Sequence, residues 1–210
     1  MSNQDLLLNR IIVVASVLAY WVGVLIQARR VRRRIGRSPN VKPRGTREKI
    51  LWAGWTLVVV AWIGLPLVVG TQAPLSLVRV IPALCGPVGS LAGILLLAAG
   101  YAGTLWCYVA MGNMWRMGVN RNEKTVLVEH GPFKYVRHPI YILQTVMLAG
   151  AALLLPAPIW LLIIGIHFLC ILNKAADEEN HLRSTQGKDY ADYISRTGRF
   201  FPKLRPIQQP

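Results

Sequence analysis

The chain has 210 residues, 53% hydrophobic and 16% charged, with a net charge of +15. Several apolar runs are long enough to cross a bilayer's hydrocarbon core, which points to an integral membrane protein and excludes an ordinary soluble domain. The basic excess does not indicate nucleic acid, because its densest run, Arg29-Arg-Val-Arg-Arg-Arg34, abuts an apolar segment and has no interleaved aromatics. Membrane orientation and attraction to anionic lipid headgroups explain that run instead.

In chain order, Ile11 to Gln27, Ile50 to Gly70 and Val88 to Met111 contain no charged residue, and each predicts a spanning helix. The first follows a weakly charged N-terminus and precedes the basic loop, the reverse of a secretory signal, and is expected to stay attached. Pro74, Pro82 and Pro87 mark the loop before the third span. Within that span Gly89, Gly93, Gly100 and Gly103 include small-xxx-small spacings, which predict close helix packing. Asn120 to Lys124 reads as a loop, Val126-Leu-Val128 as a short extended or interfacial piece, and Gly131-Pro132 as a turn.

Pro139 to Asn173 contains no Asp, Glu, Lys or Arg. As one helix it would extend roughly 50 Å against a hydrocarbon layer of about 30 Å, so a turn at Pro156-Ala-Pro158 and two helices of about 17 residues are expected. Lys174 to Arg196 should continue as helix outside the membrane, broken near Gly187, with Tyr190 and Tyr193 on one interfacial face.

Charge placement gives the orientation. Arg29 to Lys49 carries ten basic residues, Gly112 to His138 five and Lys174 to Pro210 seven, leaving only Arg10 and Arg79 elsewhere. Five helices with the N-terminus outside put all three basic segments in the cytoplasm; four would divide them. The expectation is an all-α integral membrane protein of about five transmembrane helices with a cytoplasmic C-terminal cofactor-binding region. Residues 1–111 read as a three-helix anchor with a basic loop, and 112–210 as the region that carries the chemistry.

Polar chemistry concentrates where the hairpin ends meet. Arg137 and His138 stand before Pro139, and Asp177-Glu-Glu179 follows the second arm. Cationic residues flank membrane helices as a rule, and Lys174 can pair with Glu178 four residues on, but three consecutive carboxylates suggest a cationic ligand. Cys85, Cys107 and Cys170 lack metal-ligand spacing, so neither a metal site nor a disulfide framework is expected. His167, inside the last span, reads as a neutral packing histidine.

These motifs resemble a known family. Arg-His-Pro-x-Tyr at 137–141, preceded by Leu-Val-x-x-Gly-Pro-Phe at 127–133 and followed by Glu178-Glu179 and Gly-x-x-Tyr-x-x-Tyr at 187–193, is similar to the isoprenylcysteine carboxyl methyltransferase and phospholipid methyltransferase superfamily. Trp115-Arg-Met-Gly-Val119 and Arg199-Phe-Phe-Pro202 are similar to bacterial-type members, which implies a bacterial inner membrane. The resemblance implies an S-adenosyl-L-methionine-dependent methyltransferase acting on a membrane lipid or prenylated small substrate. Thr125, Val126, Leu127, Val128, Phe133, His138, Pro139, Ile140 and Tyr141 would line the cofactor site, with Glu178 contacting the cofactor and Glu179 supporting it.

Lys174 occupies the position of a substrate-binding arginine, and Leu143 stands where the pattern usually has glycine, which implies a differently shaped pocket. A carboxylate acceptor would need orientation by Arg116, Arg137 or Lys174; an amine acceptor would need a base, His138 or a glutamate. The catalytic candidates are therefore Arg137, His138 and Arg116. The alternatives are a phospholipid N-methyltransferase, an NADPH-using enzyme resembling sterol reductases, and a non-catalytic scaffold. The oligomeric state is open.

Overall fold

The computed structural model describes residues 3–36, 45–71, 75–115 and 127–203. Six α-helices follow in order: α1 (Asn3–Ile35), α2 (Thr46–Val68), α3 (Pro87–Met111), α4 (Pro139–Leu154), α5 (Ile159–Gln186) and α6 (Lys188–Arg196). No strand occurs among the described residues, only an isolated parallel bridge between Val136 and Gly198. Four helices, α1, α2, α3 with its extension to Met114, and α5, are long and apolar enough to cross a membrane, and α4 is a shorter apolar fifth.

Local chemistry sets the boundaries. Both α3 and α4 start with proline, which has no N–H to leave unpaired and a backbone angle suited to a first turn. The expected turn at Pro156-Ala-Pro158 is present: α4 stops at Leu154, and Ile81 N–H donates to Pro156 O at 2.8 Å. With 16 residues α4 fits the short arm expected, while α5 reaches 28 because its helix runs on past Asn173 through the carboxylates. Its end is Gly187, whose φ of 54° lies in the left-handed region that favours glycine. At 16 residues α4 measures roughly 24 Å, less than a ~30 Å hydrocarbon layer.

The tightest helix pair is α3 with α4, and glycine makes it so. A Cβ on Gly93 would lie 2.8 Å from Gly150 O, and one on Gly150 would lie 2.8 Å from Gly93 O. Nearly three turns along the same seam, a Cβ on Gly103 would lie 2.6 Å from Leu143 Cδ2. Leu143 therefore fills the groove that Gly103 leaves on α3. The bulk expected to reshape the pocket is taken up by helix packing.

Hydrogen bonds tie the two ends of the bundle. At one end Asn9 Nδ2 donates to Ser90 Oγ (3.1 Å) and Leu154 O (2.9 Å), and Arg10 donates to Val69 O, so carbonyls left open by the ends of α4 and α2 are satisfied from α1. At the other end Arg34 donates to Asn113 and Arg47 to Asn173, and Arg47 pairs with Asp177 at 3.2 Å. The interior holds Tyr20, Trp62, Met147, Leu148 and Trp160, while Leu25, Val60, Leu95 and Leu161 are more than half exposed. An apolar exterior of that extent requires lipid around it.

Candidate functional site

The site forms at the basic end, where the start of α4, the middle of α5 and the segment after α6 converge. Residues 135–138 run beside 198–199: Arg137 N–H donates to Gly198 O (2.9 Å), His138 N–H to Arg199 O (3.1 Å), and Gly198 N–H to Tyr135 O (3.2 Å). A side chain on Gly198 would overlap the Phe201 carbonyl, so the tight fold of this strap needs glycine there. Tyr193 OH donates to Phe133 O at 2.7 Å, fixing α6 against the Gly131–Lys134 turn.

Consecutive residues on α5 point about 100° apart, and this separates the two glutamates. Glu179 is fully buried. Its Oε1 accepts from Arg137 Nε and Arg199 Nε, both at 3.0 Å, and its Oε2 accepts from Arg199 Nη2 at 2.7 Å, with Arg183 at 3.5 Å. Burial opposes its charge, but the contacts with His138, Arg199 and Arg137 outweigh burial and hold the carboxyl far below the ordinary range. Glu178, a quarter exposed, accepts from Tyr141 OH at 2.7 Å and lies 3.3 Å from His138 Nδ1. Burial works to raise its pKa as well, but the bond and charge of His138, then Tyr141 and Lys174, bring it below the ordinary value.

His138 sits between the two carboxylates, and its Nε2 is 3.4 Å from Glu179 Oε1. That contact is an ion pair without hydrogen-bond geometry, so Nε2 remains a buried nitrogen with no hydrogen-bond partner. Burial disfavours the imidazolium, but the close contacts and negative charges of both glutamates outweigh it and raise the His138 pKa. The imidazole stacks on Tyr141 (5.7 Å, 14°) and meets Phe200 from the strap (5.9 Å).

A second layer lies on the membrane side of Tyr141. Trp55 of α2 reaches the Tyr141 ring at 6.1 Å and the His167 ring at 5.3 Å, and Lys174 Nζ stands 4.6 Å over the Trp55 ring. Cation–π contact of this kind holds an ammonium without neutralising it.

Of the residues expected at the site, Arg137, His138, Tyr141, Glu178, Glu179 and Lys174 meet in these two layers. Pro139 and Ile140 open α4 beside them. Leu127 and Val128 lie in the extended lead to the Gly131–Lys134 turn, and that turn packs on Trp106 and Ala110 of α3. Phe133 is buried in the turn; among the described residues, the ring partners of His138 are Tyr141 and Phe200. Arg116, Thr125 and Val126, and the loop expected at Asn120 to Lys124, fall outside the described residues.

Sequence reasoning did not find Trp55, which stands in an uninterrupted apolar run beside Trp52 and carries no motif. It noted the Arg199-Phe-Phe-Pro202 signature without assigning Arg199 to Glu179.

The fold and site together define a helical membrane protein with a carboxylate and aromatic cluster at the mouth of a helical hairpin. Residues 88–189 match the phospholipid methyltransferase family, and this stretch, from the start of α3 into α6, belongs to that superfamily of membrane methyltransferases. Two known proteins are similar over 112 residues. The nickel-cobalt-cadmium resistance protein NccN of Alcaligenes xylosoxydans xylosoxydans is 28% identical, over 53% of this chain and 49% of that protein. The cobalt-zinc-cadmium resistance protein CzcN of Cupriavidus metallidurans is 22% identical, over 53% of this chain and 48% of that protein. The matched region thus spans about half the length of each relative.

Proposed function

We propose that this protein transfers a methyl group from S-adenosyl-L-methionine to a lipophilic acceptor at the cytoplasmic face of a membrane. The observation that carries this reading is the division of labour at 178–179. Glu179 is saturated by arginines, whereas Glu178 keeps a partly exposed carboxylate beside two stacked rings. A carboxylate next to aromatic faces suits a cationic, nucleoside-bearing donor, which fits the residues present.

When bound, S-adenosyl-L-methionine supplies an electrophilic methyl on a sulfonium. Glu178 would hold positive charge, and the rings of His138 and Tyr141 would pack against planar groups. Arg137 would act through Glu179 to fix the position of His138. Lys174, over Trp55, would face the acceptor. Positioning in a water-poor site supplies most of the rate in such a transfer.

The basic end is read as cytoplasmic, with the N-terminus outside and the inner membrane of a bacterium as the setting. The relatives' names attach them to metal resistance, and methylation of a membrane component under metal exposure is the corresponding proposal for this chain.

Calorimetry of the purified full chain in detergent tests the donor. Binding of S-adenosylhomocysteine, and none of NADPH, is expected; the opposite selectivity overturns the methyltransferase reading in favour of a reductase. Transfer of radiolabelled methyl into a total bacterial lipid extract then reports the acceptor. An alkali-labile product indicates an ester and a stable one an amine or ether.

A further inference from the structure

His167 was expected to be a packing histidine, and its hydrogen bonds give it a defined chemical state. Thr145 Oγ1 donates its hydrogen to Tyr141 O at 3.0 Å, the carbonyl one turn back on α4. With that hydrogen committed to the carbonyl, the 3.1 Å contact between Thr145 Oγ1 and His167 Nε2 is satisfied when the imidazole carries its hydrogen on Nε2. Tyr141 O, at 3.5 Å from the same nitrogen, is a second acceptor on that side. The ring lies within an apolar span, where a charge is costly, so the neutral form with its hydrogen on Nε2 is the one that satisfies these contacts.

The consequence falls on the other nitrogen. Nδ1 carries a lone pair, is buried in a residue only 1% exposed, and has no hydrogen-bond partner. A buried acceptor left unsatisfied is costly, and one at a candidate site calls for a donor from a ligand. The ring is flanked by Trp55, whose other neighbours are Tyr141 and Lys174, so the imidazole belongs to the membrane-side layer of the candidate site.

We propose that His167 Nδ1 receives the proton of the methyl acceptor, and that the acceptor is a lipid whose reacting atom bears a hydrogen, an amine or a hydroxyl. This rests on the methyltransferase reading above. The acceptor's nitrogen or oxygen forms a bond to the methyl carbon as the carbon–sulfur bond breaks, and the electron pair of that bond stays on sulfur. The acceptor's N–H or O–H proton passes to Nδ1, leaving an imidazolium that discharges as product departs. Thr145 is a positioning residue, because its hydroxyl fixes which ring nitrogen is free. A carboxylate acceptor brings no hydrogen to Nδ1 and sets its own lone pairs against it.

Two measurements on the full chain in detergent micelles test this. Nitrogen-15 NMR of histidine-labelled protein reads the tautomer directly; the chain has four histidines, and the signal lost in His167→Gln identifies the one concerned. An unprotonated Nδ1 with a protonated Nε2 is expected, and Thr145→Val should erode that preference. A hydrogen on Nδ1 in the wild type overturns the proposal, whatever the activity.

The second measurement uses His167→Gln for chemistry, since its amide can keep the Nε2-side donor to Thr145 while removing the Nδ1 lone pair. It should bind S-adenosylhomocysteine and unfold thermally as the wild type does, and transfer radiolabelled methyl to a total bacterial lipid extract roughly 100-fold or more slowly. Wild-type transfer by His167→Gln, an alkali-labile methyl ester as the wild-type product, or a rate loss accompanied by an equal loss of cofactor binding each overturns it. A wild type that binds no S-adenosylhomocysteine defeats the methyltransferase reading instead, and the NMR result still judges the tautomer.

Discussion

The two layers that meet at Tyr141 are built on opposite principles. On the water side, Glu179 has three guanidiniums within 3.5 Å, Arg137, Arg183 and Arg199, and little of its hydrogen-bonding capacity is left over. On the membrane side the polar groups are held by rings more than by partners: Lys174 by the face of Trp55, His167 by one nitrogen only. A saturated buried charge holds a structure together, and an unsaturated buried polar atom is open to a ligand. Glu178 stands at the joint, bonded to Tyr141 and His138 but a quarter exposed. On the function proposed above, adjacent residues thus divide scaffold from chemistry.

The largest expected effect breaks the scaffold side. Glu179→Gln leaves Arg137 and Arg199 without their counter-charge, and Arg137 has a side chain only 9% exposed. Stability should fall by about 3–5 kcal/mol. Thermal unfolding in detergent measures it, and an unchanged midpoint would show that Glu179 is not the structural member of the pair.

Glu178→Ala should act on the other side of the comparison. It is expected to lower the thermal midpoint far less than Glu179→Gln does while weakening S-adenosylhomocysteine by roughly 1.5–3 kcal/mol, about 10- to 150-fold. Either unfolding like Glu179→Gln or unchanged affinity erases the distinction between the two carboxylates.

The pH response sharpens it. The His138 pKa is raised in the folded protein, so the stability its imidazolium contributes is fully present below the ordinary histidine value of 6.5 and is lost as pH climbs through the higher folded value. Both glutamates move the opposite way, so their contribution is present above about 4.5 and lost as pH falls through their lowered values. A thermal midpoint highest between those limits is expected, because each tenfold change in a group's proton affinity on folding corresponds to about 1.4 kcal/mol. Loss of the alkaline decline in His138→Gln identifies its source; a decline that persists there assigns it to another group.

The smallest effect is a control. Arg196 pairs with Glu129, but the two side chains are 53% and 34% exposed, so water and salt screen the attraction. Arg196→Ala should cost less than about 1 kcal/mol by thermal unfolding in detergent. A larger loss would mean that α6 anchors the strap through this pair and not through Tyr193 and the backbone bridge.

Much of this arrangement was legible in the residues. Proline stops are local, so the hairpin turn at Pro156-Ala-Pro158 could be placed, and a hairpin necessarily brings Arg137 and His138 to Glu178 and Glu179. Gly187 as the break after α5 was visible for the same local reason. Which face of each span turns inward was not, because helices apolar all round carry no stripe to read. Trp55 looks like its lipid-facing neighbour Trp52 until α2 is seated on α5. The separate roles of Glu178 and Glu179 depend on a rotation of one residue and on Arg199, which arrives from the strap. Leu143 read alone suggested a crowded pocket; it fits because Gly103, forty residues earlier, leaves the space.

The dependence of Glu179 on Arg199 also orders events in time. Synthesis proceeds from the N-terminus, so α4 and α5 are made before the strap, and Arg199 follows by twenty residues the carboxylate it clamps. During that interval Glu179 has Arg137 and then Arg183, but lacks the residue that engages both of its oxygens. A hairpin formed without the strap is not yet locked, and His138 gains its backbone bond to Arg199 only when the strap docks. A chain stopped before Thr197 should insert normally and still fail to assemble its pocket.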